Sequence, residues 1–363
     1  MDCYITQTGS YLPGPPVDND HIEDHLGSLP GEEDVKRQVL TMNGILSRHY
    51  AQDINQSATE NVYEMAAKAV ERCLAHADAR TPISYLAAGT TYAPYAGPGL
   101  ASLIHPLVSH HARLCHPVEI SSHAGICSSA AAGLVGAIRA IKTGEHRAAL
   151  SIGSEHASDV LKSSRIHPID DRREGVPLRE TQWFMSVFLR FMLSDGAGAV
   201  LLQSAPNPMG LSLKVDWTHS LSMAHECPLC MKLDNENGLL SQDIRVLQRH
   251  LFPAAETFVR SALSCNCETL GSYRVVLPHL SSFFFRRKME HMLAQLADPG
   301  QPIVPYWTNL ASAGNTGSAS IYIMLNEFLR NHRLNAGDRM LLFIPESGQF
   351  NFVLISLTAV YRS

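Results

Sequence analysis

Apolar residues in this chain fall into two kinds of run, and the two alternate. Short continuous runs at 83–89, 148–153, 197–203 and 275–278 have the length and bounding turns of strands buried on both faces. Runs at 4–10, 211–217, 339–344 and 352–358 also predict strands. Other stretches carry helical spacing. In 60–77, Val62, Met65, Ala66, Ala69 and Val70 fall on one face, which predicts an amphipathic helix, and 243–264 predicts a second. From Ser128 onward nearly every position is small or apolar until Gly144, so a helix buried on all sides is expected there. Another apolar helix is expected over 321–329. Alternating strands and helices imply an α/β fold, with sheets covered by helices. The segment SAPNPMG, 204–210, is the natural linker, and it divides the chain into halves at 1–205 and 206–363.

Composition narrows the classes. A chain of 363 residues can hold two domains. With 45% hydrophobic and 17% charged residues it is globular, and a net charge of -5 argues against a nucleic acid partner. No run of about 18 apolar residues predicts a membrane span. The opening MDCYITQTGS has neither the basic segment nor the apolar core of a secretion signal. A cytoplasmic location with reduced cysteines is therefore the expectation.

Three residues carry the chemistry. Cys127 lies where a short strand-like run meets the buried helix, so it is expected at a helix N-terminus, where free N–H groups and the helix dipole favour a thiolate. A buried core cysteine is the alternative that this stretch alone leaves open. His279 follows the run VVLP as a strand delivers a residue to its C-terminal edge. Asn315 sits in NLASAGNTGSAS, a Gly/Ser/Ala-rich turn ahead of the 321–329 helix. Alone, the histidine would be a core residue and the asparagine a helix cap. Together, a cysteine to take an acyl group and two donors for a thioester oxygen form the set that thioester chemistry needs.

With these motifs in order, the chain resembles the thiolase-fold condensing enzymes, and among them the β-ketoacyl-[acyl-carrier-protein] synthase III type and its stand-alone relatives in secondary metabolism. The resemblance runs end to end, through ITQTGSYLPGPPVDND, NGILSRHYA, AGICSSAAAGL, MLSDGAGAVLL, LPH, GNTGSAS and PESGQF. It implies duplicated α-β-α-β-α layered halves and a homodimer. It maps the nucleophile to Cys127, the catalytic histidine to His279 and the catalytic asparagine to Asn315. It also assigns the oxyanion hole of the acyl-enzyme step to the backbone N–H groups of Cys127 and Gly348. No cofactor is implied. The substrates would be acyl-carrier-protein or coenzyme A thioesters, the second being malonyl-type or β-ketoacyl.

Departures from the family pattern shape the functional expectation. Gln38 and Met42 stand where the housekeeping enzyme has the Trp and Arg that clamp the adenine of coenzyme A. The His-Gln-Ala-Asn run becomes His279-Leu280-Ser281-Ser282, and the basic residue five positions after the histidine is Phe284. Arg286, Arg287 and Lys288 follow closely as a basic turn that could meet an acidic carrier protein, a solvated surface being the alternative. The segment 165–190, with Arg172, Arg173, Arg179, Trp183, Phe184 and Phe188, is longer than its counterpart and reads as a cap over the acyl tunnel or as surface decoration. Cys227-Pro228-Leu229-Cys230 and Cys265-Asn266-Cys267 do not have the paired spacing of structural zinc, so no metal is expected. His123, four residues before Cys127, is a candidate for the pocket wall.

The expected activity is a Claisen condensation of an acyl-Cys127 intermediate with a second thioester, coupling two acyl or β-ketoacyl chains into resorcinol, cyclohexanedione or pyrone products. Two rivals stand beside it: acyl transfer to a hydroxyl or amine, and a non-catalytic subunit that pairs with an active homologue.

Overall fold

In a computed structural model, the short apolar runs pair into one nine-stranded sheet. The residues described are 1–75, 77, 81–166, 177, 181–234 and 238–361. In chain order the strands are β1 (Tyr4–Tyr11), β2 (Tyr85–Thr90), β3 (Glu119–Ala124), β4 (Ala148–Glu155), β5 (Gly196–Gln203), β6 (Leu211–Ser222), β7 (Val275–Pro278), β8 (Arg339–Pro345) and β9 (Asn351–Tyr361). Their order across the sheet is β7-β8-β9-β6-β1-β5-β4-β2-β3. Each expected strand is present. β3, half-exposed along its length, reads in the sequence only as a strand end.

The strand order repeats outward from the centre. One side runs β1-β5-β4-β2-β3 and the other β6-β9-β8-β7, joined through the short antiparallel pairing of Tyr4 with Lys214 and Ile5 with Leu213. On each side two neighbouring antiparallel pairs give way to parallel pairing toward the edge. Beyond β7, a single parallel bridge between Val276 and Tyr306 stands where β3 lies on the other side.

Two helices form the centre of the packing: α1 (Ser129–Thr143) and α2 (Ser320–Asn331). Both pack in one hydrophobic cluster with strands of both sides, and the Tyr322 hydroxyl bonds the Ala130 carbonyl at 2.8 Å and the Ser151 hydroxyl at 2.8 Å. Close approach here depends on small residues. A Cβ on Gly153 would lie 3.0 Å from both Ala130 Cβ and Ala319 Cα, and one on Gly89 would lie 2.5 Å from Ala130 Cα. The outer helix α3 (Val62–Leu74) covers β1 and β5 and begins with a capping box between Asn61 and Glu64. The 243–264 expectation is met by α4 (Ile244–Cys265), capped by Asp243. Among the described residues no helix is long and apolar enough to cross a membrane.

Candidate active site

β3 delivers Cys127 through Gly125 and Ile126 to the start of α1, and Ser128 takes the N-cap position. His279 follows β7 directly, its backbone N–H donating to the Phe343 carbonyl at 2.8 Å. Asn315 lies between the Tyr306 bridge and α2, so it occupies in one side the position that Cys127 occupies in the other. Two cavities meet at Cys127. Asn315 lines the first, with Ile126, Val160, Leu189 and Met192. His279 lines the second, with Leu251, Phe252, Phe285, Met289 and Phe343. Residues about 190 positions apart in sequence, by the difference of 315 and 127, are thus gathered around one sulfur.

The electrostatics correct one expectation. Burial, then the charges of Glu346 and Glu155, push the Cys127 thiol well above its ordinary value, opposing the helix-terminus effect. In the resting protein Cys127 is a thiol. His279 is fully enclosed, and burial lowers it to about 4, so it is a neutral imidazole. Neither of its ring nitrogens has a partner among the described residues. The Asn315 Oδ1 accepts the Gly317 N–H at 3.0 Å, which leaves the Nδ2 donor for the cavity. The Gly348 carbonyl accepts the N–H groups of Cys230 and Met231 at 2.9 and 3.1 Å. A Cβ at Gly348 would fall 2.7 Å from Glu346 Oε1 and 2.8 Å from Ile126 Cγ1, so the glycine lets this loop pack closely against the residue before Cys127.

Two buried carboxylates, which the sequence reading missed, complete the surroundings. Glu155 ends β4 and accepts from the Thr91 N–H at 2.9 Å, the Thr91 hydroxyl at 2.8 Å and the Ser318 N–H at 3.1 Å. Glu346 follows β8 and accepts from the Ser128 N–H at 3.3 Å and from the Ser128 hydroxyl. Their signal in the sequence is an acidic residue closing an apolar strand run, SIGSE and FIPE. The Ser128 hydroxyl, at the N-cap of α1, is thus held by Glu346.

Other expected residues fall elsewhere. Arg286, Arg287 and Lys288 are not a turn but the first residues of a helix, Arg286–Leu296, because the preceding 3-10 turn Phe283–Phe285 leads straight into it. Arg286 pairs with Glu290 at 2.9 Å, and the Lys288 ammonium lies 5.9 Å from the Phe252 ring. Gln38 and Met42 line a third, mostly apolar cavity with Phe184, Phe188 and Phe284. Within 165–190 the described part is largely helix, Gln182–Arg190, with Trp183 and Leu189 buried, because its apolar spacing packs it into the core; Leu189 walls the Cys127 cavity. Arg172, Arg173 and Arg179 lie outside the described residues. His123 bonds Ser121 at 2.7 Å and lines neither Cys127 cavity. Cys227 and Cys230 are buried free thiols, Cys227 being 3.8 Å from His250 Nδ1; Cys265 and Cys267 are exposed. Among the described residues no group of three His, Cys, Asp or Glu could hold a metal ion.

Comparison with known proteins gives this arrangement a context. Residues 272–345 match the family model of the 3-oxoacyl-[acyl-carrier-protein] synthase III C terminal, a stretch that includes both His279 and Asn315. The structure superposes on 3-oxoacyl-[acyl-carrier-protein] synthase III from Aquifex aeolicus with a TM-score of 0.73 at 20% identity, over 98% of this chain and 99% of that one. This is the synthase III fold. The chain is equally similar to AbyA1, a tetronic acid condensing enzyme, with a TM-score of 0.75 at 19% identity over 98% and 99% of the two chains. OleA from Xanthomonas campestris gives 0.75 at 18% identity, over 99% of this chain and 98% of that one.

Proposed function

We propose that the protein is a ketosynthase III-like condensing enzyme whose nucleophile is Cys127. The carrying observation is the convergence of Cys127, His279 and Asn315 at the junction of two apolar cavities. In the first step the sulfur attacks an acyl thioester, the carbonyl oxygen takes N–H bonds from Cys127 and Gly348, and the carrier leaves as a thiol with the proton that Cys127 gives up. In the second step His279 and Asn315 donate to the carbonyl oxygen of the second thioester while its α-carbon attacks the acyl-Cys127 carbonyl. Decarboxylation of a malonyl-type substrate supplies that carbanion and releases carbon dioxide, and Cys127 leaves as a thiolate that takes a proton from water to return to the thiol. A neutral imidazole suits this role, because its N–H can donate without the imidazole carrying a charge.

Two apolar cavities at one sulfur support the coupling of two acyl chains, one in each. We read the repeated strand order as two halves, 1–205 and 206–363, the first supplying the nucleophile and the second both donors. The homodimer would form along β3, an edge strand on which Ile120 is 42% exposed. Intact-mass spectrometry with a panel of acyl thioesters tests the central claim. One acyl mass is expected on the wild type and none on Cys127→Ala; labelling that persists in the variant excludes the assignment.

A further inference from the structure

We infer that Glu346 is a positioning residue that fixes the spacing of the two backbone donors of the oxyanion hole. The inference rests on the proposed role of Cys127 and Gly348 and concerns how that pair is held. One carboxylate oxygen, Oε2, accepts the Ser128 N–H at 3.3 Å and the Ser128 hydroxyl. The other, Oε1, accepts the Gln349 N–H at 3.4 Å and the Asn351 amide at 3.1 Å. Ser128 and Gln349 are the residues immediately after Cys127 and Gly348. Glu346 therefore grips the peptide next to each donor and leaves the two donors themselves unoccupied by it.

The surroundings make this grip consequential. Glu346 is 3% exposed, so its bonds do not compete with bulk water. Its own backbone N–H bonds the Asn351 carbonyl at 2.9 Å, anchoring it at the mouth of the β8–β9 connection. Phe350, in the same loop, is fully buried with φ at 57°, a left-handed conformation that a non-glycine residue holds only where its surroundings impose it. The loop carrying Gly348 and the turn carrying Cys127 belong to different halves of the chain. Glu346 joins them from opposite ends of one carboxylate.

A buried negative charge beside Cys127 also opposes the thiolate. Positioning and electrostatics therefore act in opposite directions on two different reactions of the same sulfur, which separates them experimentally. Acylation by a thioester builds an oxyanion and needs both donors. Alkylation by iodoacetamide displaces iodide and builds none. In Glu346→Ala, acylation by a short-chain acyl thioester should slow on the order of 10–100-fold, as misplaced reacting groups do. Alkylation of Cys127 in the same preparation should be unchanged or faster. Glu346→Gln, which keeps the shape and one acceptor, should fall between the wild type and Glu346→Ala in acylation, and it carries the test if Glu346→Ala does not fold. Equal slowing of both reactions, or acylation at the wild-type rate, overturns the inference. A wild type that takes up no acyl group at all would instead remove the proposed function on which it rests.

Discussion

Glu155 and Ser318 stand 163 residues apart in sequence, yet the buried Glu155 carboxylate accepts both the N–H of Ser318, at 3.1 Å, and its hydroxyl, at 2.5 Å. Glu346 holds Ser128 by the same two groups. Each carboxylate closes a strand of one half and grips the turn that opens the central helix of the other. Helix N-termini leave backbone N–H groups without partners, and a carboxylate is well suited to accept them. Here that service is exchanged between halves, so the turns bearing Cys127 and Asn315 are each positioned by the opposite side of the molecule.

Separating the two steps of the proposed reaction tests the roles of His279 and Asn315. His279→Ala and Asn315→Ala should each still become acylated, since the donors for that step are backbone N–H groups. Carbon–carbon bond formation should fall on the order of 100-fold or more in each. Single-turnover acylation followed by product analysis with the second thioester reads both steps. Normal condensation by both variants would eliminate the mechanism, and an ester or amide product from the wild type would install acyl transfer in its place.

Cys127 should titrate above the ordinary thiol range, because burial and the two carboxylates raise the free energy of its thiolate. Its iodoacetamide alkylation rate should keep rising with pH beyond about 8.5, the unperturbed value. Glu155→Gln removes one opposing charge and should displace the curve toward lower pH. A rate already on its plateau at about pH 7, well under that unperturbed value, would show that the thiolate is stabilised after all.

Delivery of substrate can be read from salt dependence. Gln38 and Met42 border an apolar cavity and offer no aromatic–guanidinium sandwich for adenine, whereas Arg286, Arg287 and Lys288 are exposed at the start of a helix whose buried Met289 lines the His279 cavity. Acyl-carrier-protein thioesters should accordingly outperform coenzyme A thioesters, with an advantage that shrinks as ionic strength rises. Arg286→Glu combined with Arg287→Glu should reduce the advantage and leave acylation by a small thioester mimic intact. Equal specificity constants, insensitive to salt, would assign the three cations to solvent alone.

What the sequence determined by itself is local. Continuous apolar runs announced the strands because both faces are buried. The nearly all-apolar stretch after Cys127 announced a helix buried on every side; α1 buries most of its surface, but Ala132, Gly136 and Ala140 are half-buried and Arg139 and Thr143 are exposed, so one face stays open. Cys127, His279 and Asn315 were legible because each lies at the end of such an element, where a chain can present a side chain to a cavity. Amphipathic surface elements were harder to see: Gln182–Arg190 follows a loop-like, Arg-rich stretch, and its Trp183 becomes core only because other elements pack against it. Tertiary structure alone decided the ionisation of the site. A helix N-terminus favours a thiolate, but desolvation and two carboxylates from distant strand ends outweigh it at Cys127. In the sequence those carboxylates show only as an acidic residue closing an apolar run; that Glu155 and Glu346 are buried beside Cys127, held by partners from both halves, is decided by the tertiary structure.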